Sequence, residues 1–171
     1  AMALLLADLA PERIERIVLT SLCFFVNEKQ AEVYTAIMNF FQLAMRFRSD
    51  WMATLPGLPQ MMALRYFYRI PNNDALLRQG LLDYLQLDFD TAVACANNAT
   101  DLRIEAAGSR IQAPSILIAC RQDQVMPLEN VEYTVNRIPN CHVRWIDKCG
   151  HLPMVEKPAQ YTAILNNFLE L

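Results

Sequence analysis

One stretch, PSILIACRQDQVMPLENVEYTVNRIPNCHVRWIDKCGHLPMVE from Pro114 to Glu156, limits this chain's possible folds more than any other. Ser115 to Cys120 is a strand-like run that ends in a polar turn carrying Asp123. Leu128 to Arg137 has helical character, and Cys141 to Ile146 is a second strand-like run whose turn carries Gly150 and His151. A strand, a helix and a strand in that order place the two strands parallel and side by side. Asp123 and His151 then emerge at the same, C-terminal edge of the sheet, where open α/β sheets place their chemistry.

The complete order is an apolar strand (Ile116 to Ala119), Asp123 to Pro127, a helix, Ile138-Pro139, a strand, Gly150-His151, Glu156-Lys157-Pro158 and a terminal helix. It resembles the C-terminal part of an α/β-hydrolase-fold protein. The opening AMALLLADLAPERIERIVLTS is similar to the helix and strand that follow the nucleophile elbow in that family, so the resemblance covers most of the chain. It implies an α/β fold of about three parallel strands with flanking helices and a helical cap. Residues 1–26 and 101–171 would form the core and residues 27–100 the cap.

By the same resemblance Asp123 matches the triad acid and His151 the triad base. The family's nucleophile lies in G-x-S-x-G just before a helix like Ala1 to Ala10, about where this chain begins, so no nucleophile is expected among these residues. Ser21 closes a strand and Ser115 opens one, and neither sits on an elbow between strand and helix. The oxyanion-hole donors also fall outside the chain. His151 would act as general base and then general acid, while Asp123 fixes its tautomer and stabilises the imidazolium. His142 matches nothing in the pattern and is read as structural, Glu156 as an organiser of the last turn and helix. Cys120 stands where the family often has glycine; with Cys149 it is read as a small buried apolar residue.

Ala1 to Ala10 is apolar on nearly every side and is expected to lie under other elements, closed by Pro11. Ile17 to Leu19 is expected as a strand covered on both faces. From about Asn27 to Thr100 the pattern turns helical. Val33, Tyr34, Ile37, Met38, Phe41, Ala44 and Met45 form a stripe, and Leu55 to Pro59 breaks it. Gln60 to Ile70 predicts another helix, Asp74 to Leu87 and Thr91 to Asn98 two more, with an N-cap in Pro71 to Asp74. Asp101 to Ala113 returns the chain to the sheet, and Ala159 to Leu169 closes it as a helix begun by Pro158. The insertion is rich in methionine and aromatic side chains. Each alone is explained by packing; their collective excess suits an adaptable apolar pocket, with Met38, Phe41, Met45, Met62, Phe67 and Met126 as candidate substrate contacts.

A content of 54% hydrophobic residues with four glycines and nine prolines over 171 residues excludes a disordered or collagen-like chain. With a net charge of −3 and scattered basic residues, neither nucleic acid nor a membrane is an expected partner. The apolar start lacks a basic flank and is interrupted by Asp8, so no targeting segment is expected. Five cysteines without C-x-x-C or zinc spacing predict reduced thiols in a cytoplasmic setting, with no metal and no cofactor. The resemblance implies hydrolysis of an ester, thioester or similar bond of a small apolar acyl-type substrate. A non-catalytic ligand-binding member of the fold, an acyltransferase and a C–C bond hydrolase are the alternatives. The isolated chain is expected to be inactive, and either to self-associate or to bind the missing N-terminal half.

Overall fold

A computed structural model describes residues 1–170, excepting the side chains of Phe41, Ala44 and Met45. The chain opens with α1 (Met2–Leu9), stops at Pro11, and passes through a 3-10 turn (Pro11–Arg13) into β1 (Ile17–Thr20). A helical insertion follows: α2 (Glu28–Met45), a 3-10 turn (Asp50–Thr54), α3 (Leu58–Ala63), α4 (Asp74–Gln86) and α5 (Phe89–Asn98). Next come α6 (Leu102–Gly108), β2 (Ser115–Cys120), α7 (Leu128–Arg137), β3 (Cys141–Ile146), the short α8 (Pro153–Glu156) and α9 (Pro158–Leu169).

Local chemistry sets these bounds. In α4 the Asn73 side chain accepts from the Leu76 amide, and Leu77, Leu81 and Leu85 recur every fourth residue to form one buried face. In α7, Glu129 in the first turn and Arg137 in the last both complement the helix dipole. Gly57 enters α3 at φ +79°, a left-handed conformation that a side chain would strain.

The three strands are parallel in the order β1-β2-β3. Ile17 pairs with Ser115, and Ser115 with Cys141, through to Cys120 beside Ile146. All six residues of β2 are buried, because helices cover both faces of the central strand. Leu19, Leu117 and Ala119 pack with Leu4, Ile104 and Val131 on one face. Ile116, Ile118, Cys120 and Ile146 pack under Tyr161, Ile164, Leu165 and Phe168 of α9 on the other. The register brings the ends of β2 and β3 level, so Asp123 and His151 leave the same edge.

Three expectations change. Only Leu4 and Ala7 of α1 are buried, against α6, while Met2, Leu5, Leu6 and Leu9 are exposed. The helix predicted over Gln60 to Ile70 starts at Leu58 and ends at Ala63. Beyond it the Tyr68 and Arg69 amides are bound by the Glu156 carboxylate instead of by helical carbonyls. The N-cap of α4 falls within the expected Pro71 to Asp74, at Asn73, with Asp74 in the first turn. Within Asp101 to Ala113 lies α6, capped by the Asp101 side chain. Its seven residues are too few to show a helical period in sequence.

The segment after β1 is fixed to α7 by buried polar groups. The Phe24 amide donates to Thr134 Oγ1 (2.7 Å) and its carbonyl accepts from Asn130 Nδ2 (2.8 Å), so both backbone groups are satisfied.

Candidate active site

Asp123 sits three residues beyond β2, in a turn that folds around its own carboxylate. Oδ1 accepts from the Val125 amide (2.7 Å) and the Met126 amide (3.0 Å). Oδ2 is left for His151, whose Nδ1 lies at 2.9 Å. The Asp123 side chain is 2% exposed and that of His151 18%. A charge buried this far is sustainable because three donors meet it.

The His151 turn is held from several sides. The Gln122 amide donates to the Cys149 carbonyl (3.3 Å) and the Cys149 amide to Gln122 Oε1 (3.2 Å), lacing the two site turns together. The His151 amide donates to the Tyr66 carbonyl (2.7 Å), and its carbonyl accepts from Ser21 Oγ (2.8 Å). Ser21 does so from a left-handed backbone, φ +49°. A Cβ on Gly150 would lie 2.5 Å from the Tyr66 carbonyl oxygen, so only glycine permits this approach. A carboxylate only accepts, so the neutral imidazole carries its proton on Nδ1 and presents the Nε2 lone pair. The pair is equipped to accept a proton at Nε2 and to stabilise the imidazolium that results.

A cavity of about 1080 Å³ opens beside the Asp123 turn, walled by Cys23, Phe25, Tyr34, Ile37, Val125 and Met126 among others. Asp123 and His151 do not line it. It reaches them through Val125 and Met126, whose amides bind the carboxylate. Its walls are mostly apolar, and its size is at the upper end of the usual range for ligand sites, about 300–1,000 Å³.

The Cys23 thiol donates to Met126 Sδ at 2.9 Å. Burial, reinforced by the Asp123 charge, pushes this thiol up to about 12. Its neutral form is therefore kept well past the range where free cysteine ionises, about 8.5. Iodoacetamide at pH 8 is expected to alkylate the exposed Cys95 and spare Cys23, as peptide mass mapping would read. Equal labelling of the two would contradict this placement of Cys23.

Of the sequence-derived candidates, Asp123 and His151 are brought together and Met126 lines the cavity. Met62 packs with Ala53, Leu81 and Leu85 inside the insertion. Met38 is half-buried on α2 and is not among the cavity's lining residues. Phe67 is half-buried, its backbone against Gly150. The side chains of Phe41 and Met45 lie outside the described residues. His142 is exposed on β3. Sequence reading missed the wall formed by Cys23 and Phe25. The available signal was the apolar run Leu22 to Val26, which leaves β1 at the same sheet edge as the pair. Among the described residues no cluster of His, Cys, Asp and Glu could hold a metal ion, and no helix is long and apolar enough to cross a membrane.

No family model matches the chain. A monoacylglycerol lipase of Xenopus laevis, abhd6-A, is 27% identical over 125 residues, covering 68% of this chain and 36% of that protein. The structure of a hydrolase from Pseudomonas aeruginosa superposes with a TM-score of 0.74 at 21% identity, over 98% of this chain and 60% of its own. That of MGS-M2, an α/β hydrolase from a deep-sea metagenome, gives 0.73 at 19%, over 99% and 61%. The chain thus spans less than two thirds of each. Three parallel strands with the helices that flank them match part of longer chains in these comparisons, and the chain has the α/β-hydrolase fold, as its C-terminal portion.

Proposed function

We propose that this chain supplies the acid and base of a Ser-His-Asp hydrolase acting on an ester or thioester of a small apolar acyl group. The observation that carries the reading is the 2.9 Å bond between a buried Asp123 and His151 at the C-terminal edge of the sheet. The name of the Xenopus relative, a monoacylglycerol lipase, agrees with an ester of an apolar acyl chain. Residues 27–100 act as a cap, and the cavity beside Met126 receives the acyl group. The free cysteines suit a reducing, cytoplasmic setting.

In this mechanism a serine upstream of Ala1 gives its proton to His151 Nε2 as its Oγ attacks the acyl carbonyl. Asp123 holds the ring and stabilises the imidazolium. His151 then returns the proton to the departing alcohol or thiol, leaving an acyl-enzyme. Water, deprotonated by the same nitrogen, releases the acid.

The test compares the 171-residue chain with a polypeptide extended upstream of Ala1 through a G-x-S-x-G segment, using p-nitrophenyl butyrate and a fluorophosphonate probe. The extended polypeptide should hydrolyse the ester and carry the label on that serine, while the 171-residue chain stays at background. Ligand binding without turnover or label would replace the hydrolase reading with a receptor. Turnover by the 171-residue chain that disappears in His151→Ala would place a nucleophile within it.

A further inference from the structure

Glu156 stands at the end of α8, five residues after His151. Its carboxylate accepts three backbone amides. Oε2 takes those of Gly150 (2.8 Å) and Tyr68 (3.1 Å), and Oε1 takes that of Arg69 (2.8 Å). Tyr68 and Arg69 belong to the non-helical segment between α3 and α4, and Gly150 immediately precedes His151. Two further contacts join the same parts: the His151 amide donates to the Tyr66 carbonyl, and Gly150 presses on the backbone of Tyr66 to Tyr68. The Tyr66 ring lies 6.0 Å from the imidazole.

We infer that Glu156 is a positioning residue for His151, fastening the Tyr66 to Arg69 segment of the insertion to the Gly150-His151 turn so that both move as one body. The inference rests on reading Asp123 and His151 as acid and base, and adds what holds the base in place. The segment forms neither helix nor strand, and its Tyr68 and Arg69 amides find their acceptor in this one side chain. A carboxylate is the side chain suited to the task, since both of its oxygens accept. Glutamine would point an NH2 group at one set of amides, and alanine would strip all three. Either change leaves donors unsatisfied and favours local opening of the segment. The opening reaches His151 through the Tyr66 carbonyl and through Gly150, which cannot shift without carrying the adjacent imidazole.

The experiment uses the full 171-residue chain labelled with 15N-histidine, in which the exposed His142 is an internal reference. It reads solvent exchange of the His151 Nδ1 proton by NMR, and trypsin cleavage after Arg65 and Arg69. In Glu156→Gln and Glu156→Ala the Nδ1 proton should exchange at least about tenfold faster, because local opening sets the exchange rate. Cleavage at the two arginines should rise in parallel while the His142 signal stays unchanged. Glu156→Gln keeps the shape and part of the acceptor set, so it decides the matter should the alanine variant fail to fold. Asp123→Asn separates the two readings. If the wild-type Nδ1 proton exchanges freely and Asp123→Asn makes no difference, the acid and base pairing fails. If the proton is protected, lost in Asp123→Asn and unaffected in both Glu156 variants, the positioning role is overturned.

Discussion

Asp123→Asn should lower kcat for ester hydrolysis by about 10⁴, the loss that the same change causes in a serine-protease triad, when made in a polypeptide that carries this chain and its nucleophile. The site's geometry decides the direction. Oδ1 receives the Val125 and Met126 amides, and only an oxygen can accept them. The new amide must therefore keep its carbonyl there and turn its NH2 toward His151 Nδ1. Two donors cannot face each other, so the imidazole takes the tautomer with its proton on Nε2, the atom that should accept one. The fold survives, because both turn amides remain satisfied. Asp123→Ala would differ, leaving those amides without their acceptor and costing stability of about 1–3 kcal/mol for each buried donor left unpaired. Steady-state kinetics with p-nitrophenyl butyrate, paired with thermal denaturation, separate the two effects. An Asp123→Asn enzyme within tenfold of the parent, at an unchanged Tm, would remove Asp123 from the mechanism.

The elements that sequence reading located best have a strong local signature. β2 is buried on both faces and reads as an unbroken apolar run, β3 and α7 follow with clear turn signals, and all three match the predicted bounds. The side-by-side placement of Asp123 and His151 follows from that order, since a right-handed crossover makes adjacent parallel strands end together. The contacts that hold His151 were not legible for the opposite reason. Ser21 reaches its carbonyl across 130 positions, and Glu156 reaches Tyr68 and Arg69 across 88 and 87. No periodicity or spacing marks such pairs. The same contacts explain why the helix predicted over Gln60 to Ile70 ends at Ala63: the pattern continues as helical, but the later amides and the Tyr66 carbonyl are claimed by another part of the chain. The methionines show a different limit. Met62 and Met126 look alike in sequence, yet one fills the insertion's interior and the other lines the cavity, a distinction made by tertiary packing.

The second large effect concerns association. β1 pairs with β2 on one side, and the sheet order places its other side at the edge. Its free N–H and C=O groups form a template for a further strand. Beside it α1 exposes Met2 at 70%, Leu6 at 51% and Leu9 at 81%, with Leu5 at 37%. Four large apolar side chains on one short helix, next to an open edge, approach the few hundred Å² that a soluble monomer tolerates, and burial is favourable at about 25 cal/mol per Å². We propose that this face is covered either by a second copy or by the N-terminal part of the fold. Sedimentation equilibrium of the pure chain should then give a mass of at least twice the 19.6 kDa of one chain. Added in trans, the N-terminal part of the fold should displace the second copy. Replacing Leu6 and Leu9 together by lysine tests the helix directly. Both side chains point away from the Leu4 and Ala7 contact, so the core is untouched. Dissociation to monomer in that variant assigns the contact to α1, whereas a persistent dimer assigns it to the β1 edge. A folded, monodisperse monomer of the unmodified chain at about 100 μM, well above the micromolar range in which moderate interfaces form, would defeat the proposal, because neither exposed surface would then be driving association.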